Sequence, residues 1–256
     1  MTLPTAATEK SPASPLQTVS SDPFSSLRVA ITGGTSGLGL AFVRELSRRG
    51  ARVAFVARTR ERVAQVMREN PGVHGIVADV SDKNDIYPIA IQITGELGGL
   101  DVLINNASEL GPTPLRMLSD TECEDLEHVF ATNVFGPFRL TKALMGALAA
   151  SAREGRGAVV LNISSDAGVS AYPRWGTYGS SKAALHQLSR VWNEEHAGEG
   201  VRFLSLDPGD MDTPMYHAAI PDADPSTLKR PAQAAHELLE AIAEVLPRSV
   251  LIRGEV

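Results

Sequence analysis

A tyrosine and a lysine whose spacing could support proton transfer occur in the segment YGSSK, from Tyr178 to Lys182. If this segment is helical, the phenol and the ammonium group share one face, about 6 Å apart along the axis. A neighbouring positive charge lowers the pKa of a phenol, which would let Tyr178 exchange protons near neutral pH. Ser165 lies thirteen residues before Tyr178 and could donate a hydrogen bond to a substrate oxygen. Without other motifs, however, a pair of exposed surface residues explains YxxxK better.

Glycines near the start of the chain could bind a nucleotide. In TGGTSGLG (32–39), Gly33, Gly37 and Gly39 stand where an apolar run gives way to a helical pattern. Glycine permits positive φ there and lets a pyrophosphate approach the backbone, while the N-terminus of the following helix supplies N–H groups. Glycine-rich turns are common, so an ordinary turn also explains this segment when it is taken alone.

The residues after the second apolar run bear on the choice of cofactor. Enzymes that use NAD usually place a carboxylate here to bind the ribose 2′-hydroxyl, whereas this chain has Ala57 followed by Arg58. A guanidinium group attracts a 2′-phosphate, and the hydroxyl of Thr35 could add a hydrogen bond. This pattern favours NADP(H) over NAD(H). Arg60 and Arg62 are interpreted as solvent-facing residues of a surface helix.

The order of apolar and amphipathic segments indicates the fold that must position these residues. Continuous apolar runs, typical of buried strands, occupy 27–32, 51–57, 73–80, 100–108, 157–165 and 201–209, with SVLIRG (249–254) as a further short strand. Helical segments separate them, the longest over about 120–149 and 175–197, and another over 231–245. This alternation predicts a doubly wound α/β domain with a parallel sheet, helices on both faces, and ligands beyond the carboxyl ends of the strands.

Composition excludes several classes of function. The chain has 256 residues and a net charge of −6, which argues against a nucleic-acid-binding protein. No apolar run approaches the roughly 20 residues that a membrane span needs. Cys123 is the only cysteine, which excludes an intramolecular disulfide and a cysteine-based zinc site. The histidines are scattered along the chain, so we predict no metal site, and we expect a cytoplasmic protein.

The first part of the chain differs in composition from the rest. Residues 1–26 are rich in Ser, Thr, Pro and Ala, and they lack both the apolar stretch of a signal peptide and the arginines of a transit peptide. We therefore predict a disordered tail, with an arm that clasps an oligomer as the alternative. One folded domain is expected over residues 27–256.

Four motifs, in the same order and at the same intervals, resemble those of the short-chain dehydrogenase/reductase family. They are TGGTSGLG, NNAS (105–108), the Ser165–Tyr178–Lys182 spacing and DPGDMDT (207–213), and the resemblance covers residues 27 to about 250. It implies one Rossmann-fold domain with a seven-stranded parallel sheet. It also implies hydride transfer between a nicotinamide cofactor and a ketone, an aldehyde or a secondary alcohol. The alternative with the same fold is a catalytically idle NADP-binding regulator or sensor.

The resemblance also implies roles for single residues. Tyr178 is expected to be the catalytic acid/base and Ser165 to orient the substrate oxygen. Lys182 is expected to grip the nicotinamide ribose and lower the tyrosine pKa, and Asn133, in TNVFG, to hold a water in the proton relay. The expected cofactor contacts are Gly33, Thr35, Ser36, Gly37, Leu38, Gly39, Arg58, Asp79, Val80, Asn106, Ala107, Ser108, Tyr178, Lys182, Pro208, Gly209, Met211 and Thr213.

The chain departs from the family pattern in three places. NNAS replaces the usual NNAG, and Ser36 stands where many NADP-dependent members carry a basic residue, which leaves Arg58 as the main phosphate partner. The chain also lacks the glycine-rich C-terminal tail of many tetrameric members. We expect a homodimer or a homotetramer through the two long helices, and the missing tail puts in doubt only the tetramer contact that such a tail makes.

The substrate is expected to be a small carbonyl or alcohol compound bound next to Ser165. Residues 166–175 should line its pocket, with Trp175, Met215 and Tyr216 as an apolar wall. The alternative for Trp175 is packing against the start of its helix. The polar, proline-containing loop up to about residue 228 could form a mobile lid.

Overall fold

The protein forms a parallel β-sheet with helices on both faces. The computed structural model describes residues 22–247. Its strands are β1 Arg28–Thr32, β2 Arg52–Ala57, β3 His74–Val77, β4 Val102–Asn105, β5 Ala158–Ile163 and β6 Val201–Leu206. Neighbouring strands pair in parallel in the order β3-β2-β1-β4-β5-β6. The doubly wound α/β fold is confirmed with six strands rather than seven in this range, and SVLIRG (249–254) lies outside the described residues.

Helices connect successive strands across both faces of the sheet. Those in the described range are α1 Gly37–Arg48, α2 Arg60–Glu69, α3 Ile86–Leu97, α4 Cys123–Phe130, α5 Gly136–Arg153, α6 Gly176–His196, α7 Pro214–Ala219 and α8 Pro231–Val245. The helix predicted over 231–245 matches α8, and the one predicted over 175–197 matches α6 to within one residue at each end. For α8, amphipathic periodicity after a proline at the first helical position explains this agreement.

Each face of the sheet is covered by its own apolar core. On one face, Phe42 and Leu46 of α1 are buried together with Phe55 of β2 and residues of α8. On the other, Ile89 of α3 and Leu140 of α5 are buried against the same strands. Because both faces are covered, the strands are continuous apolar runs, and all six residues of β5 are buried.

The packed core begins earlier in the chain than the predicted boundary at residue 27. Phe24 is fully buried in the core, and the guanidinium carbon of Arg49 lies 5.2 Å from the centroid of its ring. The inclusion of residues 22–26 in a disordered tail is therefore wrong. A single large apolar side chain among small polar ones is enough to anchor this segment. Residues 1–21 lie outside the described residues.

The long helix predicted over 120–149 is interrupted. A π-helical turn, Ala131–Phe135, separates α4 from α5. Pro137, at the start of α5, has no N–H group for an α-helical ladder. Gly136 lies so close to the chain after β3 that a Cβ would come within 2.8 Å of a carbonyl oxygen there. π-helical turns often occur at functional sites, and this one carries Asn133 into the interior.

The outer faces of α5 and α6 carry exposed apolar side chains. Phe138 on α5 and Val191 on α6 are more than one-third exposed, at 37% and 42%. These two helices are the ones through which we predict a homodimer or a homotetramer. The oligomeric state stays a prediction.

An ion-pair network ties together the amino ends of the strands, away from the end where ligands are expected. Asp101, just before β4, is fully buried. Its carboxylate accepts hydrogen bonds from the guanidinium groups of Arg28 (2.6 Å) and Arg156 (3.1 Å) and from the hydroxyl of Ser151 (2.6 Å). Burial alone would raise the pKa of Asp101, but these hydrogen bonds outweigh burial and hold that pKa below its ordinary value.

Replacing Asp101 with Asn should lower the free energy of unfolding by about 3 kcal/mol near neutral pH, because two partly buried guanidinium groups lose their counter-ion. The contribution of Asp101 is complete above the ordinary aspartate pKa of about 3.9 and is lost as the pH falls towards the lower pKa of the folded state. Urea unfolding of wild type and variant should therefore give a difference in the free energy of unfolding that becomes smaller at acid pH. Asp222→Asn, at an exposed position, is the control. An equal loss at neutral and acid pH would contradict the role of charge.

Candidate functional site

A cavity of about 570 Å³ lies at the carboxyl ends of the strands. It crosses the point between β1 and β4 where the strand order reverses, which is where doubly wound folds bind ligands. Every residue predicted to contact the cofactor lines this cavity. The predicted substrate residues line it as well, namely Ser165, Trp175, Met215 and Tyr216. Among the predicted catalytic residues, Asn133 is the exception, because it is fully buried and does not line the cavity.

The glycine turn between β1 and α1 has the shape of a phosphate cradle. Gly33 and Gly37 have φ angles of +73° and +49°, and a Cβ on Gly33 would come within 3.0 Å of the backbone of Ala107. A Cβ on Gly39 would collide with the carbonyl oxygen of Gly33. The side chain of Ser36 makes no capping hydrogen bond to α1, so the first N–H groups of this helix remain for a ligand. This arrangement fits the pyrophosphate of a dinucleotide.

The NNAS segment holds this turn from the neighbouring strand. The Thr32 hydroxyl accepts hydrogen bonds from the N–H groups of Asn106 and Ala107, each 3.0 Å long. The Asn106 side chain donates to the carbonyl oxygens of Thr32 (2.9 Å) and Gly33 (3.3 Å). Asn106 therefore fixes the glycine turn to the end of β4. The sequence did not reveal this positioning role, although asparagine at a strand end is a known signal for a turn.

Two arginines line the end of the cavity beside β2. Arg58 Nη1 lies 3.9 Å from Asp79 Oδ2, and both residues belong to the cavity wall. Arg62 also belongs to this wall, and it is exposed, so the predicted solvent-facing position and a place at the rim of the cavity hold together. Arg58 lies in the connection before α2 and Arg62 lies in the first turn of that helix. Arg60 is exposed and lies outside the wall.

Asn133 braces the cavity from behind. Its side-chain Nδ2 donates to the carbonyl oxygen of Glu109 (2.8 Å) and to the hydroxyl of Ser181 on α6 (2.9 Å). Its Oδ1 accepts from the N–H of Glu109 (2.7 Å) and the hydroxyl of Ser108 (3.3 Å). These four bonds use the full capacity of the amide. The side chain therefore has no free donor or acceptor for the water that the resemblance assigns to this residue.

Tyr178 and Lys182 lie on consecutive turns of α6 and are both buried, with exposed fractions of 9% and 2%. Lys182 Nζ lies 5.4 Å from the centroid of the Tyr178 ring. The same ammonium group donates a 2.8 Å hydrogen bond to the carbonyl oxygen of Ile163, at the end of β5. The two groups thus share one face of α6 inside the protein, which excludes the alternative of an exposed surface pair.

Burial dominates the proton affinities of this pair. It raises the pKa of Tyr178 to about 12, although a hydrogen bond with Ser165 opposes the shift. It lowers the pKa of Lys182 to about 8, and the carboxylate of Asp207 opposes that shift. The expectation that Lys182 brings the tyrosine pKa down is therefore not met by the protein's own groups. Desolvation of the phenolate outweighs the hydrogen bonds of Tyr178 with Ser165 and Ser108.

Besides its hydrogen bond with Tyr178, Ser165 at the end of β5 contacts Asp166 and Ala167. Its Oγ donates to Asp166 Oδ1 (3.1 Å) and accepts from the N–H of Ala167 (3.2 Å). The phenol of Tyr172 donates to Asp166 Oδ2 (2.8 Å). All five residues line the cavity, and three of them lie in the segment 166–175 that was expected to do so.

Asp207 is a residue of this site that sequence reasoning missed. It follows β6 and lines the cavity. Its Oδ2 accepts from the N–H of Asp166 (3.1 Å) and its Oδ1 from the N–H of Gly209 (2.9 Å). Asp207 therefore connects the ends of β5 and β6. An aspartate directly before Pro–Gly is a turn signal that could have identified it.

The far end of the cavity is formed by aromatic and apolar side chains. The rings of Trp175 and Tyr178 meet edge-on with centroids 5.8 Å apart. Trp175 thus packs at the start of α6 and also lines the cavity. The two alternatives for this residue, packing against its helix and forming part of the pocket wall, therefore apply together. Met215 and Tyr216 lie on α7, whose first turn is capped by the hydroxyl of Thr213 through a 3.2 Å hydrogen bond from the N–H of Tyr216.

Residues 22–247 contain no group of three or more His, Cys, Asp or Glu side chains arranged to hold a metal ion. Within the same range, no helix has both the length and the apolar character that would be needed to cross a membrane.

Comparison with known sequences identifies relatives along most of the chain. The profile of the short chain dehydrogenases matches residues 28–224. The chain is 34% identical over 194 residues to the 2-(R)-hydroxypropyl-CoM dehydrogenase of Xanthobacter autotrophicus, an alignment that covers 73% of this chain and 76% of that protein. It is 33% identical over 222 residues to an uncharacterized oxidoreductase of Mycobacterium tuberculosis. That alignment covers 84% of this chain but 63% of the relative, so the chain spans less than two thirds of that protein's length.

Solved structures show the same fold. A short-chain dehydrogenase from Streptomyces avermitilis is 30% identical and aligns with a TM-score of 0.73 over 85% of this chain and 84% of that one. The NADPH-bound carbonyl reductase from chicken fatty liver aligns with a TM-score of 0.77 over 88% of this chain and 94% of that one. Its sequence identity of 24% supports the fold alone. By its cavity, its sequence relatives and its fold, this chain belongs to the short-chain dehydrogenase/reductase family of oxidoreductases.

Proposed function

We propose that the protein is an NADP(H)-dependent oxidoreductase that interconverts a ketone or aldehyde with the corresponding alcohol, with Tyr178 as the acid/base. The observation that carries the proposal is the burial of Tyr178 and Lys182 in the wall of a cavity that also contains the glycine turn. A phenol in this position can exchange a proton with a ligand while water is excluded. When bound, NADPH supplies the hydride that is added to the carbonyl carbon.

The protonation states of the pair suit the reduction of a carbonyl group. With a pKa of about 12, Tyr178 carries its proton at neutral pH and can donate it to the carbonyl oxygen. With a pKa of about 8, Lys182 is mostly cationic under the same conditions. Its charge stabilises the phenolate that forms as the proton leaves, and burial strengthens this attraction. In alcohol oxidation, the phenolate takes the proton back.

The preference for NADP(H) rests on the charges at the β2 end of the cavity. The residue that would carry a carboxylate in an NAD enzyme is Ala57, which lines the cavity without a charge. Arg58 and Arg62 supply two guanidinium groups there. Asp79 partly offsets the charge of Arg58, since the two groups are 3.9 Å apart. Arg62 therefore contributes the larger share of the attraction for a 2′-phosphate in this proposal.

Tyr178→Phe should lower turnover by about 10²–10⁴-fold, because the proton donor is lost while the ring keeps its packing. NADPH binding should stay close to that of wild type. The measurements are NADPH oxidation with a panel of diketones, quinones and aldehydes, and fluorescence titration of NADPH. Tyr87→Phe, on the exposed face of α3, is the matched control. Turnover within about tenfold of wild type in Tyr178→Phe would reject the assigned role.

Arg62→Ala should weaken NADPH binding by at least about tenfold and leave NADH binding nearly unchanged, because a charged hydrogen bond to the 2′-phosphate is lost. Arg58→Ala should have the same selectivity with a smaller effect. Fluorescence titration with each reduced cofactor measures these affinities without a substrate. Arg60→Ala, on the same helix but outside the cavity wall, should change neither affinity. If Arg62→Ala weakened the binding of NADPH and NADH equally, the assignment of Arg62 to the 2′-phosphate would be contradicted.

A further inference from the structure

The hydroxyl proton of Ser165 is already committed to a neighbouring residue. An ionised carboxylate can only accept hydrogen bonds, so the 3.1 Å contact between Ser165 Oγ and Asp166 Oδ1 uses the single proton of Ser165. The remaining capacity of Ser165 Oγ is that of an acceptor, and the N–H of Ala167 takes part of it. The hydroxyl of Ser165 therefore has to turn away from Asp166 before it can donate to a substrate carbonyl, or to the oxygen of Tyr178 in the hydrogen bond that opposes the rise of the tyrosine pKa.

Releasing that proton leaves Asp166 short of one donor. Oδ2 of this carboxylate keeps the hydrogen bond from the phenol of Tyr172 (2.8 Å), and because Asp166 is exposed in the cavity wall, water can donate to Oδ1 while the cavity is empty. A substrate that fills this space excludes that water, and leaving a charged group without a hydrogen bond carries a substantial free-energy cost. The substrate removes this cost if it brings a donor of its own to Oδ1 while its carbonyl oxygen takes the proton of Ser165.

We propose that Asp166 is a specificity-determining residue that selects ketones bearing a hydroxyl group on the carbon next to the carbonyl. This inference rests on the proposed carbonyl reduction, since it requires the carbonyl oxygen to lie between Ser165 and Tyr178. Oxygens on adjacent carbons are separated by a distance similar to the 3.1 Å between Ser165 Oγ and Asp166 Oδ1. One such substrate can therefore satisfy both groups together.

The same end of the cavity disfavours a substrate with a carboxylate. Asp166 and Asp207 follow β5 and β6, and Asp210 lines the cavity beside them. Among the described residues that line the cavity, the arginines are Arg58 and Arg62, next to β2, and β1 and β4 lie between β2 and β5 in the sheet. The remaining lining cation, Lys182, is buried and donates to the carbonyl oxygen of Ile163. An anionic group beside the carbonyl would meet the carboxylate of Asp166 without a compensating arginine, which costs binding energy through like-charge repulsion.

The rest of the pocket accepts an apolar body. Trp175 and Met215 line the cavity near Tyr178, and Ile220 lines it from the end of α7. An aromatic ring attached to the carbonyl carbon is a suitable probe, because Trp175 offers a flat apolar surface for it. Acetophenone, 2-hydroxyacetophenone and benzoylformate then form a matched series that differs only in the group next to the carbonyl.

The experiment measures both binding and turnover for this series. Titration calorimetry with the enzyme–NADP⁺ complex gives the Kd of each ketone, since a carbonyl group cannot be reduced by the oxidised cofactor. Absorbance of NADPH is followed in the same samples, because the alcohol group of 2-hydroxyacetophenone could be oxidised by NADP⁺. Steady-state NADPH oxidation gives kcat/KM. We expect 2-hydroxyacetophenone to be favoured over acetophenone by about tenfold or more in both measurements, as for a charged hydrogen bond. Benzoylformate should bind more weakly than acetophenone.

Variants of Asp166 separate selection from general damage. Asp166→Ala should bring the ratio of kcat/KM for 2-hydroxyacetophenone to kcat/KM for acetophenone close to one, whatever its effect on the absolute rates, because the acceptor for the substrate hydroxyl is lost. Asp166→Asn should keep part of the hydroxyl preference that Asp166→Ala loses, since its amide oxygen still accepts a hydrogen bond. The same variant should bind benzoylformate more tightly than wild type, because the amide carries no negative charge. A structural defect would instead lower the affinity and kcat/KM for all three ketones by the same factor. Asp222→Asn, exposed and outside the cavity, is the control.

The outcomes distinguish this inference from the proposed reaction. Equal Kd values for acetophenone and 2-hydroxyacetophenone in wild type, no measurable binding of any ketone, or a preference that survives in Asp166→Ala would each overturn the inference. Preferential binding of 2-hydroxyacetophenone without any NADPH oxidation would support the role of Asp166 in recognition and reject the reductase reaction. Turnover of ketones without a hydroxyl preference would leave the reaction intact and reject the inference.

Discussion

The site depends on holding a phenol and an ammonium group side by side out of water. Lys182 donates to the carbonyl oxygen of Ile163 at the end of β5, and this bond ties α6 to the sheet. The close approach of α6 to the turn after β5 requires Gly179, where a Cβ would come within 2.6 Å of the carbonyl oxygen of Ala167. Burying a lysine with so little compensation is unfavourable for folding, and its lowered pKa expresses that cost. The arrangement is explained by proton chemistry, since apolar packing would serve stability better.

The cavity has opposite charges at its two ends, and the sheet topology is the cause. Arg58 and Arg62 follow β2, whereas Asp166 and Asp207 follow β5 and β6. The strand order places β1 and β4 between these groups, so the charges are separated across the width of the site. A ligand with a phosphate at one end and a neutral hydroxylated group at the other is oriented by this field before short-range contacts form. Binding and orientation thus follow from which strand ends carry which side chains.

The sequence predicted the elements better than the contacts between them. The strands are continuous apolar runs bounded by glycine and polar residues, and α8 begins at a proline, so local signals were sufficient there. The π-helical turn around Asn133 was missed because its apolar periodicity continues on both sides, and because its bracing bonds come from Ser108, Glu109 and Ser181, all distant in sequence. The pKa of Tyr178 was misjudged because sequence spacing reveals a neighbouring charge but not the extent of burial.

The measurement that tests the buried pair most directly is the pH profile of kcat/KM for ketone reduction, which reports ionisations of the free enzyme. Lys182 is cationic below its pKa of about 8, and Tyr178 keeps its proton up to a pKa of about 12. The account therefore predicts a fall in kcat/KM as the pH rises through about 8, caused by neutralisation of Lys182, without a further fall from ionisation of Tyr178 below about pH 11. A Lys182→Ala variant should retain low activity and lose the fall near pH 8. A flat wild-type profile, or the same fall in Lys182→Ala, would contradict the account.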